Sequence, residues 1–320
     1  MEGNVTVFYQ SLIKPTMGIM VVHSFSPAAA TSEIELILRG LQALHSRNVT
    51  QLLIDLQNSG GEDTEFATQL VQLIFTNATS AQLELGAGAR SGRLVQQLSR
   101  GVYGRGDGDE RTAFDASLFV DLDAAGNDSE PYKDNSLFEN STVLTRFGRT
   151  ATYTHPTTLS IRPLPPTFSA AVAQFPWTNN PARIRLISNG LCLSACGVAM
   201  HLWTALYKVR SHGFGGSPVQ PLSMFSAAGG METSLEEIQQ LYAEIRVPSP
   251  MRDLGYRSDV RLSWVELYSW LDGGVSRGEG ERKLLEYDAA VYSSLYQRDL
   301  TPEDARNRGA LWYRVGNAAW

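Results

Sequence analysis

The residues with the chemistry of a nucleophile sit in one stretch, Ser188-Asn-Gly-Leu-Cys-Leu-Ser194-Ala-Cys196. An apolar run ends in the turn signal Asn189-Gly190, and a serine then stands among small residues at the head of an apolar helical segment. A hydroxyl at such a helix start lies where backbone N–H groups and the dipole favour negative charge, which suits acyl transfer through a serine oxygen. The same local pattern describes a serine that only caps a buried helix. A second stretch, Asp55-Leu-Gln-Asn-Ser-Gly-Gly61, follows another short apolar run. Paired glycines there let the backbone approach a ligand closely and can aim N–H groups at an oxyanion. An ordinary strand-to-helix turn reads the same way.

A serine hydroxyl needs a base at neutral pH. The chain has five histidines, His23, His45, His155, His201 and His212, and none has the spacing of a metal-ligand set. His23 and His212 fall in strand-like segments, and either can in principle accept a proton. His201 reads as a core residue of the helix after Ser194. Cys192 and Cys196 flank the serine, lack the partners of a zinc site and do not have the redox Cys-x-x-Cys spacing. They are expected to pack as small buried residues, with a local disulfide as the alternative. Gly86-x-Gly-x-x-x-Gly92 precedes a helical Arg93-Leu-Val-Gln-Gln-Leu98, but nothing after that helix reads as the next strand of a dinucleotide-binding unit. No cofactor is expected.

The elements that must position these residues alternate. Val5 to Tyr9 and Gly18 to Phe25 read as strands, and Ser32 to His45 as a helix that Ser32 helps to cap. Gln51 to Leu56 is an almost continuous apolar run, as in a buried parallel strand, and Thr64 to Phe75 is helical. Ile184 to Ser188 repeats the buried-strand pattern, Ala195 to Leu206 is its helix, and Val209 to Phe214 resumes a strand. The expected fold class is α/β, with 1–82 and 168–260 as two parts of one core. Residues 83–167 read as an insertion of loops and short helices. Residues 261–320 read as a C-terminal extension, with helices over Ser263 to Leu271 and Arg282 to Tyr296 and a further helix start at Leu300-Thr-Pro-Glu-Asp.

Composition narrows the function classes. A chain of 320 residues buries one large core or two ordinary ones, and 43% hydrophobic with 19% charged residues describes a globular protein. No apolar run reaches the roughly 18–20 residues of a membrane span. A net charge of −6 without a compensating basic face argues against nucleic acid as a partner. Five Asn-x-Ser/Thr sequons, at Asn4, Asn48, Asn77, Asn127 and Asn140, leave the secretory pathway open, although Met1-Glu-Gly-Asn does not read as a signal peptide.

Taken together, the glycine-bounded stretches resemble the carboxyl-terminal processing (tail-specific) serine protease family, which has a ClpP/crotonase-like fold of stacked ββα units. Gly18-Ile-Met-Val-Val-His-Ser-Phe25 is similar to its opening strand, and Leu53-Ile-Asp-Leu-Gln-Asn-Ser-Gly-Gly61 to its Asp-Leu-x-x-Asn-Gly-Gly-Gly turn. Ser188 to Cys196 resembles its nucleophile stretch, most of all in fungal members of the branch of the chlamydial protease-like activity factor. Val209 to Gly216, Met224 to Gly230 and Tyr287-Asp-Ala-Ala290 resemble later segments of those members. The resemblance implies a peptidase with Ser194 as nucleophile and an oxyanion hole from Ala195 and the Gly60-Gly61 turn. It implies a peptide or protein substrate, with processing of a precursor peptide as one role.

The base departs from the family. Gly216 stands where bacterial members have a lysine, so a Ser-Lys dyad is not expected. The other branch places its histidine in a preceding domain, upstream of the opening strand, and no match to it is expected within these 320 residues. Asp288 occupies the position of that branch's acid, with Glu286 nearby. Three explanations follow: a relocated histidine, His23 or His212; an upstream domain from a longer precursor; or an inert or repurposed member that binds peptides or runs other chemistry at the same oxyanion hole. A homodimer is the other partner arrangement expected.

Overall fold

The computed structural model describes residues 5–83, 85–103, 114–122, 128–146, 149–159, 161, 163–215, 223–224, 230–250, 260–269, 283–285, 296–298 and 301–319. Gly216, Glu286 and Asp288 lie outside the described residues.

In chain order the first elements are β1 (Thr6–Gln10), β2 (Met17–Val22), α1 (Ala30–Ser46), β3 (Gln51–Asp55), α2 (Thr64–Ile74) and α3 (Ser80–Leu83). There follow β4 (Gly86–Ala89), α4 (Arg93–Tyr103), β5 (Phe119–Leu122), β6 (Asp128–Pro131), α5 (Ser136–Glu139), β7 (Ser141–Arg146), β8 (Arg149–Thr154) and β9 (Thr157–Leu159). Then come α6 (Pro166–Val172), β10 (Ile184–Ser188), α7 (Ala195–His201), β11 (Arg210–Phe214), β12 (Gly230–Ser234) and α8 (Leu235–Glu244). The last are β13 (Arg261–Ser269), β14 (Lys283–Leu284), β15 (Tyr296–Arg298), α9 (Pro302–Arg306) and α10 (Arg308–Ala319). They divide into two compact units, one of Met1–Leu83, Ile161–Ala227 and Glu286–Trp320, the other of Glu84–Ser160 and Ala228–Leu285.

The first unit is α/β. Its sheet has the order β1-β2-β3-β10-β11-β15, parallel from β2 onward with β1 antiparallel at the edge. β2 and β10 are buried along their whole length, which is why they read as unbroken apolar runs. Side chains alternate between the two faces. Met17, Ile19, Val21, Leu53, Ile187 and Phe214 point to one face and form a core cluster with Leu311 and Val315 of α10, against which Trp312 packs. The opposite face carries α1: a Cβ on Gly18 would stand 2.6 Å from Leu44 Cδ1. α1 packs on α2 and α6, and α2 on α7. Helix α1 begins at Ala30 with Ala29 as an uncapped start, so Ser32 lies inside the helix and does not cap it.

The second unit holds an antiparallel sheet, β12-β13-β4-β9-β5-β6 with β14 on β13, and a separate β7–β8 pair. The loops and short helices expected over 83–167 therefore include six strands, and 263–271 is strand, not helix, as far as Ser269. The reason is physical. In β13 both faces are buried at Trp264, Val265, Leu267 and Tyr268, which erases the two-residue alternation that would have marked a strand. In β4 the sequence Gly-Ala-Gly-Ala has no strand propensity of its own and is buried throughout. Trp264 anchors this unit, with its ring 4.5 Å from Phe114 and its Nε1 donating to Thr233 Oγ1 at 3.1 Å.

Two predictions follow from the first unit. Leu311→Ala removes a fully buried contact between α10 and the sheet and is expected to cost about 2–5 kcal/mol in chemical denaturation. A loss well under 1 kcal/mol would contradict the docking of α10.

The second concerns Asp304, which caps α9 by accepting from Thr301 N–H at 2.8 Å and Thr301 Oγ1 at 2.7 Å, and pairs with Arg314. Burial alone would raise its pKa, but those hydrogen bonds and the Arg314 charge hold it below the ordinary carboxylate value. A depressed folded pKa gives stability that is present above the unfolded pKa and lost as pH falls through the folded one. The stability penalty of Asp304→Asn should therefore be present at about pH 7 and shrink toward about pH 2.5. An equal penalty at both pH values would refute that assignment.

Candidate active site

The carboxyl ends of β2, β3 and β10 meet at one edge of the first unit's sheet, the edge where open α/β sheets bind ligands. Backbone bonds stitch their turns together. Ser24 bridges Gly60, and Phe25 N–H donates to the Gly60 carbonyl. Ser59 bridges Cys192, with Leu193 N–H donating to Ser59 O at 3.0 Å. Asn58 and Asn189 clasp each other side by side. Asn58 N–H donates to Asn189 Oδ1 at 3.2 Å, and Asn189 Nδ2 donates to Asn58 Oδ1 at 2.8 Å. The Asn189-Gly190 and Asn-Ser-Gly-Gly turns thus form one scaffold.

Ser194 is the strained point of that scaffold. It adopts φ 51° and ψ −115°, outside the regions open to a residue with a Cβ, at a cost of about 1–3 kcal/mol. It is 8% exposed, and among the described residues its Oγ has no hydrogen-bond partner. Although it stands at the N-cap of α7, its side chain makes no cap bond. The capping alternative left open by the sequence therefore does not describe this hydroxyl. The backbone instead has the form of a strained strand-to-helix turn that presents a side-chain oxygen.

The flanking cysteines are joined. Cys192 and Cys196 form a disulfide with Cα atoms 5.2 Å apart, where independent packing was the expectation. Their i, i+4 spacing encloses Leu193, Ser194 and Ala195 in a small covalent ring.

Gly61 takes φ 140°, and a Cβ there would meet Phe25 C at 2.3 Å and Ser26 N at 2.6 Å. Only glycine fits this position. The Gly61 carbonyl accepts the Ala195 N–H at 3.0 Å, and the next N–H, of Glu62, donates to Ser26 Oγ at 2.9 Å. In this structure the Ala195 donor is thus engaged internally.

The histidines separate clearly. His23 lies just past the end of β2, not within the strand, and its side chain is exposed. It belongs to the same edge as Ser194, one residue before the Ser24–Gly60 bridge. His212 is buried in β11, in register with Ile187 and two residues before Phe214, so it stands on the α10 face. Ser194 heads α7, which packs with α2 on the other face. His201 is buried within α7, and the His45 ring lies 4.9 Å from that of Phe175. Among the described residues no cluster of His, Cys, Asp and Glu could hold a metal ion.

One supporting group escaped the sequence reading. Asp55 is fully buried and accepts from Gln57 N–H at 3.0 Å and from Trp312 Nε1 at 2.7 Å. Arg308 stands 3.9 Å from the same carboxylate and donates to the Gln57 carbonyl at 3.2 Å. Helix α10 thereby grips the base of the glycine turn. Asp55 was visible in sequence only as the first residue of the glycine-turn stretch, and its partners Arg308 and Trp312 stand i, i+4 on α10.

No family profile and no curated protein sequence matches the chain. Solved structures do. Mature CPAF, a chlamydial protease, in complex with lactacystin matches at TM-score 0.40 and 14% identity over 93% of this chain and 50% of its own. A lipoprotein from Streptococcus agalactiae matches at 0.38 and 12% over 98% and 71%. A Parabacteroides merdae protein, provisionally designated a peptidase, matches at 0.39 and 10% over 99% and 65%. The chain spans 50% to 71% of the length of these proteins. The likeness is loose, and the functional reading rests on the geometry of the site.

That geometry makes a contrast between adjacent glycines. Gly61→Ala should cost about 2–6 kcal/mol from backbone strain and clash. Gly60→Ala, whose nearest contact would be Leu193 Cβ at an ordinary 3.5 Å, should stay within about 1 kcal/mol. Similar losses for the two, measured by urea denaturation, would contradict the turn described.

Proposed function

We propose that the chain is a serine hydrolase of the peptidase type, with Ser194 as nucleophile and a peptide or protein chain as substrate. The observation that carries this reading is the strained, buried and uncapped Ser194 hydroxyl at the carboxyl edge of the sheet. The alternation of buried parallel strands and helices around it fits the ClpP/crotonase-like arrangement that the sequence resembles.

In the proposed reaction Ser194 Oγ attacks a substrate carbonyl and passes its proton to a histidine, which returns it to the leaving amine. His23 is the better candidate. It shares an edge with Ser194 and its imidazole is exposed, whereas His212 lies within the sheet on the far face. The oxyanion falls to the Ala195 N–H and the Gly60-Gly61 turn once the Gly61 carbonyl rotates away. Glu286 and Asp288 remain the candidates to orient the base.

The engaged Ala195 N–H favours a second reading, in which the same edge binds peptides without cleaving them. Labelling with a fluorophosphonate probe separates the two. The hydrolase reading expects a covalent adduct on Ser194 that Ser194→Ala abolishes. It expects His23→Ala to slow labelling by about a hundredfold or more, and His212→Gln to leave the rate of the folded protein within a fewfold. A chain that takes no label, or labels equally as Ser194→Ala, is not a hydrolase acting through this residue.

A further inference from the structure

The Cys192–Cys196 disulfide encloses the strained Ser194, and we infer that this bond is what keeps Ser194 armed: it is a positioning device whose oxidation state decides whether the hydroxyl is free to react. The inference deepens the hydrolase reading and rests on it for the identity of the nucleophile.

The argument begins with backbone freedom. A serine preceding a helix ordinarily takes an extended conformation and turns its oxygen onto an N–H of the first turn. Here that relaxed state is blocked from both ends. On one side Cys192 is fixed by its bridge to Ser59 and Leu193 by its bond to the Ser59 carbonyl. On the other, Cys196 belongs to the first turn of α7, with its N–H donating to Leu193 O at 3.1 Å. The disulfide joins these two fixed points, so the three residues between them must bow outward, and Ser194 takes the positive φ. Hydrogen bonds alone do not enforce this, because each can break as the serine relaxes. The covalent bond cannot.

Opening the ring removes the constraint. A dithiol reductant delivers two electrons and two protons, the sulfur–sulfur bond breaks, and Cys192 and Cys196 become thiols while the reductant closes to its own disulfide. Ser194 is then free to return to extended backbone and to cap α7, which withdraws its oxygen from chemistry. Both cysteines are fully buried, so the bond resists casual reduction and is set where the chain folds under oxidising conditions. The sequons at Asn48, Asn77 and Asn140 are all exposed, as a chain passing through such a compartment would present them.

The test combines reactivity with a stability readout that does not need activity. In the parent, Ser194→Gly should raise the melting temperature by about 2 °C or more, because glycine adopts positive φ without strain. In a Cys192→Ala/Cys196→Ala background that gain should vanish, because the serine has already relaxed. The same double variant should label with fluorophosphonate at least tenfold more slowly than the parent. If it does not fold, the parent reduced by a dithiol, with two newly alkylatable thiols by mass, takes its place. Equal labelling rates, or the same glycine gain in both backgrounds, would overturn the inference. A parent that never labels but keeps the disulfide-dependent glycine gain would sink the hydrolase reading while upholding the clamp.

Discussion

The constraint on which the candidate site depends is the backbone of Ser194, held at a positive φ between a covalent ring and a glycine turn. A residue with a Cβ does not remain there unless its surroundings over-determine it. Here the surroundings are specific: the Cys192–Cys196 bond, the Ser59–Cys192 bridge and the Ala195–Gly61 hydrogen bond. Strain of this kind, at the carboxyl edge of a parallel sheet, with a hydroxyl that has no partner among the described residues, is an arrangement suited to nucleophilic catalysis.

The next layer outward holds the scaffold itself. The Asn58–Asn189 clasp locks the two turns to each other, and Asp55 ties the base of the glycine turn to Trp312 and Arg308 of α10. The C-terminal helix is thus coupled to the site through one buried carboxylate. Its apolar face completes the core on the side away from α7.

Much of the first unit was legible because its strands are buried on both faces and its helices are amphipathic. Ile184–Ser188 was read at its observed limits, the helix after it at its observed start, Ala195, and the start of α9 in Leu300-Thr-Pro-Glu-Asp. The second unit was not, since β4 is built from glycine and alanine and β13 has no alternation to detect. At the site, sequence separated Ser194 from other serines but not from a helix cap, because that distinction lies in φ, ψ and the direction of Oγ. The Gly61 carbonyl on the Ala195 N–H and the far-face position of His212 are likewise consequences of tertiary packing. Neither leaves a trace in residue types.

The most direct test of the account is a crystal structure of the chain soaked with a peptide boronic acid. The account predicts a tetrahedral boronate on Ser194 Oγ, with one boronate oxygen at the Ala195 N–H where the Gly61 carbonyl now sits. An unmodified Ser194 with the Ala195–Gly61 hydrogen bond intact, at saturating ligand, would contradict it.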